Sequence, residues 1–373
     1  MPDPKSKGPI GILPSQDYRA LAKSGGIAAR AKLRDDQIQP ASIDLRLGPR
    51  AWRVPAGFMP GPHAKVADKL KHLAMHTLDL RKGAVLERGC VYIVELAERL
   101  KLPKDIAGTA NPKSTTGRLD IFTRLLCDRA REFEKVPAGY KGPLYLEVSP
   151  RTFSILVREG QALNQLRLRR GEPAFDDAEL AKLDAELHLV FSPDERRESA
   201  DIGRGLWISI DLEGPDTTLI GYRARRNTPL VDLSKIAHYE ASEFWEPIHR
   251  TKSRALILNP DDFYILVSRE KIRVPHGYAA EMVPYDTSVG EFRVHYAGFF
   301  DPGFGYGDSE IQGTRAVLEV RSHDVPFLLE HGQIVGRFVY EKLTAIPDRI
   351  YGRDIGSNYQ RQTLKLAKQF KDG

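Results

Sequence analysis

The chain carries the same short pattern twice at a fixed distance. Leu144-Tyr145-Leu146-Glu147-Val148 is followed by Gly160-Gln161, and Val317-Leu318-Glu319-Val320 by Gly332-Gln333, with 14 residues from Glu to Gln in each case. Val91-Tyr92-Ile93-Val94 returns 172 residues later as Phe263-Tyr264-Ile265-Leu266, and Pro103 and Pro112 return as Pro275 and Pro284. Ser42-Ile43-Asp44-Leu45 recurs as Ser209-Ile210-Asp211-Leu212. One long, shared offset means two copies of a whole domain, not a solenoid of short repeats. The register slips by one residue near 117 and 290, as a loop insertion would cause.

A length of 373 residues gives each copy enough chain for a real core. Short runs rich in Val, Ile, Tyr, Phe and Leu alternate with Pro and Gly. They predict strands at 92–96, 144–148, 153–157 and 162–168, then at 206–212, 254–258, 263–267, 278–283, 292–298, 315–320 and 333–340. Many short strands at this spacing argue for a barrel or sandwich. The expected fold class is mainly β, two tandem β-barrels with a few short helices. Ser15 is placed to cap a helix through Leu21-Ala22 that Gly25-Gly26 would stop. Leu180, Leu183, Leu187 and Leu189 predict an amphipathic helix over 176–190, with Asp176 or Asp177 as its cap. It would lead into a linker near 196–205. The expected domains are therefore 1–195 and 196–346, followed by a polar, mobile tail over 347–373.

Composition excludes several classes. With 41% hydrophobic and 28% charged residues this is a soluble globular composition. No apolar run approaches the ~20 residues that span a bilayer. Met1-Pro2-Asp3-Pro4-Lys5 carries no apolar signal region, so the expected location is the cytoplasm. Cys90 and Cys127 cannot build a disulfide framework and read as small, partly buried hydrophobes. The net charge of +6 suits an anionic ligand such as a nucleotide. Lys and Arg are scattered among acids with no basic–aromatic stripe, so a solvated surface is favoured over a nucleic-acid face. There is no His-x-Glu paired with Pro-Cys-x-x-Cys, no P-loop, and no G-x-G-x-x-G after a strand. Gly303-Phe304-Gly305-Tyr306-Gly307 reads as turn chemistry.

Two features point to chemistry. Lys113-Ser114-Thr115-Thr116-Gly117-Arg118 packs hydroxyls, a glycine and two cations into six residues. Glycine admits a ligand close to the backbone, hydroxyls donate to phosphate oxygens, and Arg118 offers a fork of donors to an oxyanion. Alone, this run reads better as a Ser/Thr-rich capped turn. Glu147 shifts the balance: a carboxylate in so apolar a strand is costly to bury unless paired, and such burial raises its pKa towards the working pH of a general base. In a strand it shares a face with Tyr145. Arg118 is its expected partner. In the second copy Glu291 stands where Arg118 would align, so Glu319 reads as scaffold.

Together these motifs resemble the long, duplicated form of the dCTP deaminase family, in the trimeric dUTPase-like fold. Gln39-Pro40-Ala41-Ser42-Ile43-Asp44-Leu45-Arg46-Leu47-Gly48 is similar to the family's first barrel motif. Lys113 to Arg118 resembles its nucleotide-binding motif, with Lys where Arg is usual. Gly139 to Glu147 resembles its catalytic strand, and Gly160 to Leu166, with Gln165, the motif after it. Tyr351 and the stretch Asn358-Tyr359-Gln360-Arg361-Gln362 resemble the segment that closes over the nucleotide. The family's Ala-His and Asp-Pro-Gly turn is missing from the first copy. Asp301-Pro302-Gly303 stands in the second, so a complete site would draw on both copies or another subunit.

The resemblance implies hydrolytic deamination of dCTP to dUTP and ammonia, without zinc. Glu147, Ser114 and Arg118 would be catalytic. Lys113, Ser114, Thr115, Thr116, Gly117, Arg118, Tyr145, Gln165, Tyr351 and Gln362 would bind nucleotide, with Mg²⁺ entering on the triphosphate. It further implies a homotrimer and inhibition by dTTP, with no nucleic-acid or membrane partner. Two alternatives stay open. One is a dUTP diphosphatase or bifunctional enzyme, using Asp44 or Asp128 at the α-phosphate. The other is a deoxynucleotide sensor without turnover.

Overall fold

The strand Lys141–Pro150 is buried along nearly its whole length, on both faces. That requires cover on each side, and the computed structural model supplies it. The structure describes residues 8–214, 218–284, 292–294, 298–306, 312–322, 324–351 and 364–371. They form two compact units.

The first unit comprises 1–173 together with 229–236 and 343–348. Its main sheet runs in the order Ile121–Cys127, Lys141–Pro150, Val91–Lys101, Ile43–Val54, Ala162–Arg170, Ile106–Pro112, ending on Lys135–Val136. The strands Ile106–Pro112 and Ile121–Cys127 are joined by the short helix Ser114–Gly117 and lie against each other. The sheet thereby rolls into a nearly closed barrel, which removes its exposed edges. The helix Val66–Leu73 covers one face of Lys141–Pro150, where Val66 and Leu70 pack on Ile93, Leu126 and Tyr145. Burying two such aliphatic side chains stabilises by about 1.5–3 kcal/mol each. The opposite face carries Leu144, Leu146 and Val148, all buried.

The second unit comprises 174–228, 237–342 and 349–373. One sheet runs Trp245–His249, Leu219–Ala224, Phe263–Ile272, Thr314–Ser322, Phe292–Val294. Another runs Leu206–Ser209, Ile334–Lys342, Tyr278–Pro284, Phe299–Phe300. Its core includes Leu206, Ile208, Tyr264, Leu266, Leu318, Val320 and Phe338.

The repeat is structural. Glu147 sits opposite Ile93, and Glu319 opposite Ile265, the same register 172 residues on. The Gly-Gln echo is a turn device. Gly160 and Gly332 take positive φ, +84° and +80°, and each following glutamine closes its turn. Gln161 Oε1 accepts from Arg158 N at 2.8 Å and Gln333 Oε1 from Glu330 N at 3.2 Å.

Several local expectations change. The helix Ser15–Lys23 has Pro14, not Ser15, at its N-cap; the Ser15 hydroxyl goes instead to Asp348. Asp177–Leu187 is helical with Asp176 and Glu179 forming a capping box, and it lies in the second unit. The strand expected over 206–212 ends at Ser209, and 292–298 is a strand over Phe292–Val294, with 295–297 outside the described residues. The chain's end is not a polar, mobile tail throughout. Leu366, Ala367 and Phe370 are buried, with Phe370 packed on Phe244 and Trp245 at ring distances of 5.3 and 5.9 Å. No helix is long and apolar enough to cross a membrane, among the described residues.

Candidate active site

Glu147 is only 2% exposed, on the face that Tyr145 and Ile93 share. The neighbouring strand Ile121–Cys127 places Arg124 directly opposite it. Arg124 Nη2 donates to Glu147 Oε1 at 2.6 Å and Nε donates to the same oxygen at 3.0 Å. The guanidinium lies 3.6 Å from the Phe133 ring centre and 5.0 Å from that of Phe122. Aromatic faces on this cation restrict where it can go. Glu147 Oε2 is buried and accepts no hydrogen bond among the described residues. The turn at Gly57 closes over it: a methyl group on Gly57 would stand 2.5 Å from Oε2 and 2.9 Å from Arg124 Nη2. Burial pushes the Glu147 carboxyl above its ordinary value, while the charge and hydrogen bond of Arg124 pull part of that rise back.

This corrects the expected pairing. The guanidinium on Glu147 comes from Arg124, while Arg118 is buried at the end of the short helix, its N–H donating to Ser114 O at 3.0 Å. Arg124 escaped sequence reading because only the register of two strands brings it opposite Glu147. The alternation Phe122, Arg124 beside apolar Ile121, Leu125 and Leu126 was the available signal.

The hydroxyl run divides by role. Lys113 Nζ pairs with Asp44 Oδ2. Thr116 Oγ1 donates to Leu163 O at 2.7 Å, pinning the loop to the next strand, and Gly117 N donates to Lys113 O at 3.0 Å. Ser114 is exposed and Thr115 partly so. Gln165 accepts from Ser42 Oγ at 3.3 Å and donates to Pro112 O at 3.5 Å, so it braces the base of this loop. Tyr145 is buried beneath the helix Val66–Leu73. Asp128 Oδ1 accepts from Val66 N at 2.9 Å, which caps that helix. Tyr351 belongs to the second unit, where its N–H donates to Pro302 O at 3.0 Å and its ring lies 5.9 Å from Phe304. Asp301 and Glu319 are buried in that unit. Gln362 and Glu291 lie outside the described residues. Among the described residues no three His, Cys, Asp or Glu side chains gather as a metal-binding set.

Fold and site define a tandem β-barrel protein whose first barrel holds a buried carboxylate beside an exposed serine loop. Residues 9–172 match the 2′-deoxycytidine 5′-triphosphate deaminase (DCD) N-terminal domain, and residues 176–370 match the corresponding C-terminal domain. The chain belongs to the dCTP deaminase family. It is similar to a 2′-deoxycytidine 5′-triphosphate deaminase from Agrobacterium tumefaciens of known crystal structure, with 54% identity and a TM-score of 0.85, over 91% of this chain and 99% of that one. A dCTP deaminase of Halorubrum lacusprofundi is 31% identical over 35% of this chain and 63% of its own length. A dUMP-forming dCTP deaminase of Halobacterium salinarum is 34% identical over 31% and 56%. The chain thus spans less than two thirds of the length of these curated relatives.

Proposed function

We propose that this protein hydrolyses dCTP to dUTP and ammonia, with Glu147 as the general base. The observation that carries this reading is the setting of Glu147: among the described residues, a buried carboxylate with one cationic partner and a second oxygen that accepts no hydrogen bond. Burial raises its pKa, the direction that strengthens a carboxylate as a base. Glu147 would take a proton from water as the oxygen attacks C4 of cytosine. It would then return protons to N3 and to the departing amine, so that dCTP and water leave as dUTP and ammonia. Arg124 holds the carboxylate in place, and Ser114 would orient the water or the base edge. Arg118 would act on developing charge or phosphate rather than on Glu147.

Gly57 now fills the approach to Oε2, so the turn after Val54 must yield when nucleotide enters. Lys113 would exchange Asp44 for phosphate, with Mg²⁺ arriving on the triphosphate oxygens.

A dUMP-forming reaction is the competing reading, since one similar relative carries that name. It needs a carboxylate free to aim water at the α-phosphate. Asp128 is committed to the helix cap, and Asp44 holds Lys113 until phosphate takes its place. Product analysis decides: dUTP with ammonia supports deamination alone, and dUMP with pyrophosphate contradicts it.

A further inference from the structure

Glu147 and Glu98 are both buried carboxylates of the first unit, 2% and 0% exposed, but different things cover them. Glu98 is enclosed by bonded structure. It accepts from Arg46 N and Nε, each at 2.8 Å, and from Gln37 Nε2 at 3.0 Å. Glu147 Oε2 lies under the turn at Gly57. There the cover is a single pass of backbone, Pro55-Ala56-Gly57, and all three residues are exposed.

That backbone is weakly held. Among the described residues, none from Pro55 to Pro60 makes a hydrogen bond, and the two prolines have no N–H to give. The attachments lie beyond its ends. Val54 pairs with Val91, Arg129 N donates to Ala64 O at 3.0 Å, and Val66 N donates to Asp128. Between them Phe58 and Met59, partly buried, pack on the cluster that includes Ile93, Leu126 and Tyr145.

The second copy has a fixed stretch in the corresponding place, between the strand Leu219–Ala224 and the helix Ala241–Phe244. Its Val231–Asp232 adds in parallel to Ile155–Val157, with Val231 N donating to Ser154 O and Leu233 N to Leu156 O, both at 3.1 Å. Arg158 Nη1 and Nη2 donate to the two Asp232 oxygens at 2.6 and 3.0 Å. A stretch without such bonds opens at lower cost than the sheet beneath it.

We infer that residues 55–60 are an autoinhibitory gate over Glu147, latched by Phe58 and Met59, which dCTP must displace to reach the carboxylate. The shielding stands on geometry, and its effect on dCTP rests on the reading of Glu147 as the base. Nucleotide binds the open form, so its apparent dissociation constant is the intrinsic one divided by the open fraction. Weakening the latch therefore tightens binding. A lid that closes on the nucleotide has the opposite sign, because the same residues then hold the bound state.

Carbodiimide labelling of the full chain with glycine ethyl ester, read by peptide mass, tests the gate without nucleotide. In the wild type Glu147 should label roughly tenfold faster than Glu98, although both are buried. Low urea should change the Glu147 rate little, because the opening exposes little surface. Phe58→Ala should label Glu147 several-fold faster still and leave Glu98 protected. Phe58→Leu, which keeps an apolar latch, should fall between. Equal rates or equal urea dependence at the two sites in the wild type, or Glu147 labelling unmoved by Phe58→Ala, would overturn the gate. Calorimetric titration of dCTP into Glu147→Gln, which blocks turnover, reads the autoinhibition. Adding Phe58→Ala should lower the dissociation constant several-fold, and an unchanged or raised constant would overturn it. Binding of dCTP to neither protein, with the labelling as expected, would contradict the deaminase reading and not the gate.

Discussion

Arg124 Nη2 lies 2.6 Å from Glu147 Oε1, across two strands whose register alone makes the pair. This contact holds the carboxylate in position and offsets part of the rise that burial gives its pKa. If Glu147 is the base, only its ionised form works, and kcat/KM falls as pH drops through its pKa. Arg124 lowers that pKa against burial. Arg124→Met, which keeps an apolar contact with Phe133, should therefore move the acid limb to higher pH. Arg124→Lys should bring it part of the way back. A pH–rate profile with an unmoved acid limb would show that Arg124 is packing only.

Gly57 should tolerate no side chain. A Cβ there meets Glu147 Oε2 and Arg124 Nη2 well inside contact distance. Gly57→Ala should lower unfolding free energy by about 1–3 kcal/mol, as overpacking does. Urea unfolding within a few tenths of the wild type would mean that the turn does not rest on the carboxylate.

The two thiols should differ sharply. Burial pushes the Cys127 thiol up to about 12, whereas Cys90 is half-buried. At pH 8 the native protein should take one equivalent of maleimide, at Cys90, and two once unfolded. Labelling of Cys127 in the native state, read by peptide mass, would contradict its burial.

Asp232 should respond to acid through its strand. The Arg158 guanidinium, aided by Ser234, holds its carboxyl far below the ordinary value. Stability from this pair is present above the unfolded pKa of ~4 and lost as pH falls through the folded one. Asp232→Asn should therefore raise amide exchange at Val231 and Leu233 at neutral pH, and flatten the acid dependence of that exchange. Unchanged exchange would show that the backbone bonds alone retain the segment.

The sequence showed the duplication, the mainly β class and Glu147 because these rest on local pattern: a recurring spacing, and one carboxylate in an apolar run. Ile43–Val54 was hidden as a strand because Gly48-Pro49 interrupts it, where its pairing with Val91–Lys101 slips register. Arg124 was hidden because strand register is non-local, and the nearer Arg118 drew attention. The strand Val231–Asp232 was hidden for the same reason: it is two residues long, and only its non-local partner, Ile155–Val157, makes it a strand. The roles of Asp44, Asp128, Lys113 and Thr116 likewise depend on which neighbours the barrel brings within reach.

Ammonia release from dCTP, with the nucleotide product identified, tests the central claim most directly when three proteins are compared. The wild type should yield dUTP and ammonia in equal amounts. Glu147→Gln should lose roughly 10²–10⁴-fold in turnover. Glu319→Gln, in the equivalent register of the second unit, should remain within a few-fold of the wild type. A Glu147→Gln variant that still releases ammonia, or loss of activity on Glu319→Gln alone, would contradict the account.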